Sequence, residues 1–210
     1  MWPEANETTE LLAGARAGDA EAVNRLMERH RSAVHRMVQL RLDQRIVRRV
    51  DVSDVVQDVF VEASRRLQDY LRNPIMPFHL WLRHIARDRV IDAHRRHRVS
   101  AKRSVDQERP LAAVADDRST WDLAGQLQDP QQTPASAAAQ REMAVQVEAA
   151  LARLDEADCE IIMMRHYEHL TNHEVAQALG LTEPAAGMRY LRAIRRLRAL
   201  LADPQAPPPT

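Results

Sequence analysis

Residues 171–201 spell out two helices and the turn between them, and this stretch limits what the chain can become more than any other. Thr171 and Glu174 stand three apart as Thr-x-x-Glu, the reciprocal capping box that starts a helix. Val175, Ala176 and Leu179 give that helix an apolar side, and Gly180 permits the turn that ends it. Thr182 can cap a second helix with Pro184 in its first turn. Leu191, Ile194, Leu197 and Leu201 form the expected buried face of the second helix, which carries Arg189, Arg192, Arg195, Arg196 and Arg198 with no acid among them. A solvated surface helix normally alternates its charges. A second helix with only positive charges from Arg189 onward, after a capped helix and a glycine turn, is the layout of a helix-turn-helix that enters a DNA major groove. Arginine suits that task because its planar fork donates two hydrogen bonds at once to guanine edges or phosphates. Ala185, Ala186, Met188 and Arg189, near the helix start, are the expected base-edge residues, and Arg192, Arg195 and Arg196 the expected phosphate holders.

The positive charge is local, since the 30 basic and 30 acidic residues of the 210-residue chain cancel. Eight basic residues lie between Arg83 and Arg103 against Asp88 and Asp92, whereas residues 106–129 carry six acids against Arg109 and Arg118. Two basic clusters therefore flank an acidic connector, which speaks to partners rather than to fold. Five Gly and two Phe are too few for a strand-rich protein, and the composition points to an all-α fold. The lone Cys159 is expected to be a small buried residue. With no apolar run long enough for a membrane span and no leader pattern, a soluble, cytoplasmic protein is expected.

Upstream, Gly18-Asp19 separates two helical patterns, the second with Ala22, Leu26, Val34, Met37 and Val38 at helical spacing. Asp51 caps a third pattern whose apolar stripe is Val55, Val59, Phe60, Ala63 and Leu67. The segment Asn73-Pro74-Ile75-Met76-Pro77 breaks helix. Helix resumes at Pro77 with Trp81, Ile85 and Ile91 as core candidates. Phe78, His79, Trp81 and His84 stand there among dense arginines, the mixture that a single-stranded nucleic-acid platform needs. Core and base contact are equally open for Trp81, and exposure is favoured for Phe78 beside the proline break. Between 98 and 140 the periodicity dissolves into a linker, with Trp121 as a docking contact or short helix inside it. Helix returns at 141–154 and 156–168, the latter lined by Ala157, Ile161, Ile162 and Met164.

Histidines invite a metal reading: His84 with Asp88 and Asp92, or His166 with His169 and His173. Neither set fits His-Glu-x-x-His and no cysteine accompanies them. No phosphate loop or nucleophile elbow is present either. The chain is expected to have no catalytic residue, no metal and no cofactor.

Three blocks together resemble the sigma-70 family of bacterial sigma factors, in its small two-domain extracytoplasmic-function (ECF) group. Residues 54–60, DVVQDVF, look like region 2.2; residues 78–97 look like regions 2.3 and 2.4; residues 154–201 look like region 4. The resemblance implies two small helical domains, a region 2 bundle over 1–97 and a region 4 helix-turn-helix over 141–202. They are joined by a long flexible linker over 98–140 and followed by a disordered tail over 203–210. It implies a promoter-specificity subunit that is not an enzyme. Asp54, Gln57, Asp58 and Val61 would dock on the clamp helices of the polymerase β′ subunit. Asn73, Phe78, Trp81, Arg87, Arg89, Asp92, Arg95 and Arg96 would open and hold the −10 element, partly as single strand. Thr171, Asn172, Thr182, Ala185, Ala186, Met188, Arg189, Arg192, Arg195 and Arg196 would read the −35 element as duplex, beside the β flap. The partners implied are core RNA polymerase, promoter DNA and an anti-sigma factor that wedges between the domains.

Two elements on the order of 20 base pairs apart lie roughly 70 Å apart. A relaxed coil of the linker's length spans only about 36 Å, so it must be held stretched. Two departures stand out. Asp88 occupies a position where the family usually has Asn, and Ala186-Gly187 replace a more usual Val and polar residue, with Gly187 open to close approach by DNA or a neighbouring helix. A stand-alone helix-turn-helix regulator would explain 171–201 but not the other two blocks. A metal-dependent hydrolase would rest on the histidine and aspartate sets alone.

Overall fold

The computed structural model describes residues 2–42, 51–105 and 134–203. The described residues are helical throughout and contain no strand. The chain divides into two compact units, Met1–Asp117 and Arg118–Thr210.

Unit 1 holds α1 (Ala5–Arg16), α2 (Ala20–Arg41), α3 (Val52–Arg72) and α4 (Phe78–Val105). Asp19 ends the first turn of chain between α1 and α2, and its carboxylate accepts from the Glu21 backbone N–H at 2.9 Å. The two helices approach closely at Gly14, where an added Cβ would lie 2.7 Å from that of Ala22. Asp51 starts α3 in the same way, accepting from Ser53 N–H at 2.8 Å. Leu26, Val34, Val38, Val59, Ala63, Leu82 and Ala86 meet in one core without access to water. Burying each large aliphatic side chain of that set contributes roughly 1.5–3 kcal/mol. The expected stripes of α2 and α3 are all buried. On α4, Ile85 is buried and Trp81 half-buried, but Ile91 is exposed, contrary to expectation. The stripe there runs through Leu82, Ile85, Ala86, Val90 and Ala93 instead, and small alanines complete the core-facing side.

Unit 2 holds α5 (Pro134–Ala152), α6 (Glu156–His166), α7 (Asn172–Leu179) and α8 (Glu183–Ala202). α6 is its centre: Cys159, Ile161, Ile162, Met163 and Met164 are all buried, while Ala157, expected to line it, is exposed. The seven consecutive residues Asp158–Met164 are all buried, so this stretch is covered on every side, and α7 and α8 pack against it.

The expected linker over 98–140 is helical at both ends, since α4 runs on to Val105 and α5 begins at Pro134. Extending an existing helix adds one hydrogen bond per residue without a new nucleus. Pro134 suits a helix start, and the Ala-rich run after it has high helix propensity without any apolar period to announce it. Residues 106–133, with Trp121, and the tail from 204 to 210 lie outside the described residues.

Candidate nucleic-acid and polymerase interfaces

On α3 the residues opposite the valine stripe form one surface. Asp54, Gln57, Asp58 and Val61, at i, i+3, i+4 and i+7, are all exposed. Their placement follows from helical period: the same turns bury Val55, Val56, Val59 and Phe60 on the other side. Asp58 is engaged within the unit, because Arg96 from α4 reaches its carboxylate at 3.2 Å. The structure thus joins two groups of residues that the sequence assigned to different partners.

The turn between α3 and α4 is built on an aromatic stack. Asn73 closes α3, its backbone N–H donating to the Asp69 carbonyl at 3.2 Å, and its side chain is exposed. Tyr70 donates its hydroxyl to the Met76 carbonyl at 3.0 Å, which ties the proline-flanked loop to α3. Tyr70 also packs on Trp81 with ring centroids 4.7 Å apart and edge-on to Phe78 at 5.5 Å. Phe78 is buried at 2 % exposure, so the expectation that it stands open beside the prolines is corrected. It fills the space between Tyr70, Trp81 and His30, the last at 5.0 Å. Trp81 is half-buried on this stack. His30 is fully buried beneath it, and burial first, then the neighbouring His79 and Arg29, lowers its pKa to about 4.

Along α4 the arginines differ. Arg83 is wholly buried. Arg87 and Arg89 are half-buried, and Arg89 pairs with Asp92 one turn on at 3.2 Å. Arg95 and Arg96 are exposed, the latter on Asp58.

In unit 2 the helix-turn-helix forms as its caps dictate. Thr171 and Glu174 make the reciprocal box, with Glu174 accepting from the Thr171 N–H at 2.7 Å. Gly180 adopts the left-handed conformation at φ 63, and Thr182 caps α8. The helix starts are clipped together: Asn172 donates to the Glu183 carbonyl at 2.9 Å and His173 Nδ1 lies 2.8 Å from the Glu183 carboxylate. Thr171, Thr182, Ala185, Met188, Arg192 and Arg195 are exposed, and Asn172 and Arg189 half-buried. Their common location at the α7 and α8 starts and along the outer side of α8 makes a single basic surface.

The buried face of α8 differs from the expected one. Its buried residues are Ala186, Ala193 and Leu200, while Leu191 is exposed and Ile194, Leu197 and Leu201 are half-buried. Small residues seven apart let the helix backbone approach its neighbours, and a reading weighted by leucines rotates the helix away from that seam. Ala186 consequently faces the unit's interior and is no base-edge residue. Gly187 meets only the Asn172 side-chain amide, 3.8 Å from an ideal Cβ, so no close approach of a neighbouring helix requires a glycine there.

Arg196, expected to hold a phosphate, is engaged within the unit. Its Nη1 donates to Asp155 at 2.9 Å and to Asp158 at 2.7 Å, across to the start of α6. These contacts, the hydrogen bond and charge of Asp158 foremost, raise its pKa. Sequence reasoning missed these partners, which lie 38 and 41 residues away. It also missed Arg165, which donates to the Leu170 carbonyl at 2.7 Å and sits 5.6 Å from the Tyr190 ring centroid. Among the described residues, no three His, Cys, Asp or Glu side chains gather to hold a metal ion, and no helix is long and apolar enough to cross a membrane.

The family model for ECF sigma factors matches residues 5–201. The RNA polymerase sigma factor CnrH of Cupriavidus metallidurans is 30% identical over 191 residues, covering 91% of this chain and 92% of that protein. The RNA polymerase sigma factor NccH of Alcaligenes xylosoxydans xylosoxydans is 29% identical over 200 residues, covering 93% and 95%. Among solved structures, that of CnrH in complex with the cytosolic domain of CnrY is similar at a TM-score of 0.57. It shares 26% identity over 94% of this chain and 99% of that one.

Proposed function

Since the chain belongs to the ECF sigma factor family and so directs transcription initiation by RNA polymerase, we propose that its two units divide the promoter between them. Unit 2 reads the −35 duplex through the starts of α7 and α8. The observation that carries this is the outer side of α8, where Ala185, Met188, Arg192 and Arg195 are exposed while Ala186 and Ala193 are buried. The caps leave the helix N-terminus presenting a positive dipole end beside these cations, which suits a phosphate. Arg189 and Met188 reach base edges, and Arg192 and Arg195 hold the backbone.

Unit 1 engages core polymerase through Asp54, Gln57, Asp58 and Val61, and the −10 element through Asn73, Trp81, Arg87, Arg89, Asp92, Arg95 and Arg96. Extruding a base costs a few kcal/mol of stacking, which the partly accessible Trp81 and the basic side of α4 offset. A stand-alone regulator would leave the α3 surface without a use. The solved relative was captured with the cytosolic domain of a second protein, and that supports a sequestering protein partner, an anti-sigma factor, for this chain too.

In vitro transcription on fragmented genomic DNA from the source organism, with core polymerase and with or without the protein, tests the reading. Discrete new starts should appear and vanish on Arg192→Ala or Gln57→Ala. DNA binding without core-dependent starts, from well-folded protein, would overturn it.

A further inference from the structure

Arg196 lies three residues after Ala193 and four before Leu200, on the side of α8 that faces the unit's interior. Its guanidinium bridges two carboxylates at 2.9 and 2.7 Å, and one of them, Asp158, has a side chain only 7% exposed. Asp155 is itself the N-cap of α6 and accepts from the Asp158 backbone N–H at 2.8 Å. Arginine, both acids and the helix start therefore form a closed set. Moving the guanidinium to a phosphate would leave a buried carboxylate unpaired, which is strongly unfavourable.

Between the helix start and Leu200, the only large side chain buried on α8, the seam is built on Ala186 and Ala193. Small side chains permit close packing but resist rotation about the helix axis weakly, because they interdigitate little. Each residue of register is about 100° of rotation in a helix of 3.6 residues per turn. A modest turn of α8 would carry Arg189 and Arg192 off the outer side.

We propose that Arg196 is a positioning residue for duplex recognition: clamped by Asp155 and Asp158, it sets the rotation of α8 on α6 and thereby aims Arg189 and Arg192. It touches neither base nor phosphate, and the role rests on the reading that unit 2 binds duplex DNA.

The test is a titration of holoenzyme, full chain with core polymerase, against a promoter duplex recovered from the transcription assay, at several salt concentrations. A phosphate contact and a positioning contact differ in salt dependence. Removing a phosphate-holding cation lowers the salt slope by about 1, and Arg192→Gln provides that reference. Arg196→Gln should weaken binding by roughly tenfold, the scale of coupling in a buried network, with the wild-type salt slope retained. Asp158→Asn should weaken binding similarly although it removes a negative charge, and the double variant should be no worse than either alone. Arg196→Lys, a point charge without the fork, should not restore affinity.

A reduced slope in Arg196→Gln, or tighter binding in Asp158→Asn, would overturn the proposal, because either means that Arg196 is available to phosphate. Should Arg196→Gln fail to fold, Asp155→Asn removes the more exposed carboxylate alone and must still weaken binding at constant slope. Wild-type holoenzyme with no salt-dependent duplex binding, and no effect of Arg192→Gln, would overturn the duplex reading itself and this proposal with it. That outcome is distinguishable because it does not involve position 196.

Discussion

α4 and α8 are both long, arginine-rich helices, yet their arginines meet different fates. On α4, Arg83 is wholly buried, Arg89 pairs with Asp92 and Arg96 crosses to Asp58 on α3. On α8, Arg192, Arg195 and Arg198 stand exposed, and Arg196 turns inward onto α6. Arginine density therefore announces a basic surface without saying which guanidiniums compose it. A long aliphatic stem lets the same side chain pack inside, bridge helices or reach into solvent, and its neighbours in space decide among these.

The largest expected contrast is between Arg83→Ala and Arg192→Ala. The first empties a fully buried site and should cost about 3 kcal/mol, as large-to-small core changes do. The second should stay within about 0.5 kcal/mol, the usual range for surface changes. Urea denaturation followed by helix content measures both, and equal losses would break the comparison.

Acid should act chiefly on unit 1. His30 has a folded pKa of about 4 against an ordinary value of 6.5. Below pH 6.5 the unfolded chain takes up a proton that the folded chain refuses, so stability falls as pH drops from 6.5 to about 4 and then levels. The loss should be about 3 kcal/mol. His30→Leu should flatten that limb of the stability curve. Burial, Arg165 and His169 lower the pKa of His166 in unit 2, so its contribution has the same sign. A limb unchanged in His30→Leu would transfer the acid sensitivity to other groups.

Gly187→Ala should stabilise the chain by roughly 0.5–1 kcal/mol, since the new methyl enters ordinary contact with Asn172 in a helix interior. The same variant sharpens the DNA reading, because unchanged promoter affinity would show that the backbone there does not touch DNA. The smallest effect belongs to Asp58→Asn. The Arg96 pair is exposed on both sides, and such pairs contribute about 0–1 kcal/mol. Thermal unfolding should barely move, whereas core polymerase affinity should fall.

The helix starts were legible wherever a short polar residue stood before an apolar period. Asp19, Asp51, Thr171 and Thr182 all cap the helices expected of them. Capping is local, involving residues two or three apart, so the sequence contains all of it. Large side chains at clean helical spacing, as in α2 and α3, were legible for a similar reason. The failures fell where small residues or proline neighbours misled. Ile91 and Leu191 were expected inside because they are large, but alanines beside them face the core. Phe78 was placed outside because it follows a proline break, yet Tyr70, Trp81 and His30 close around it. No signal in the chain tells that residues 30, 70 and 78 converge.

By itself the sequence determined the helical class, the capped starts of its helices, the left-handed glycine turn between α7 and α8, and the family through three motifs in order. These depend on interactions within a few turns of chain, or on residue identity alone. Only the tertiary structure decided which arginines remain outside, that Ala186 and Phe78 are buried, and that Arg196 belongs to Asp155 and Asp158. Those outcomes depend on contacts between residues tens of positions apart, and helical periodicity assigns a side chain to a face without saying what that face will meet.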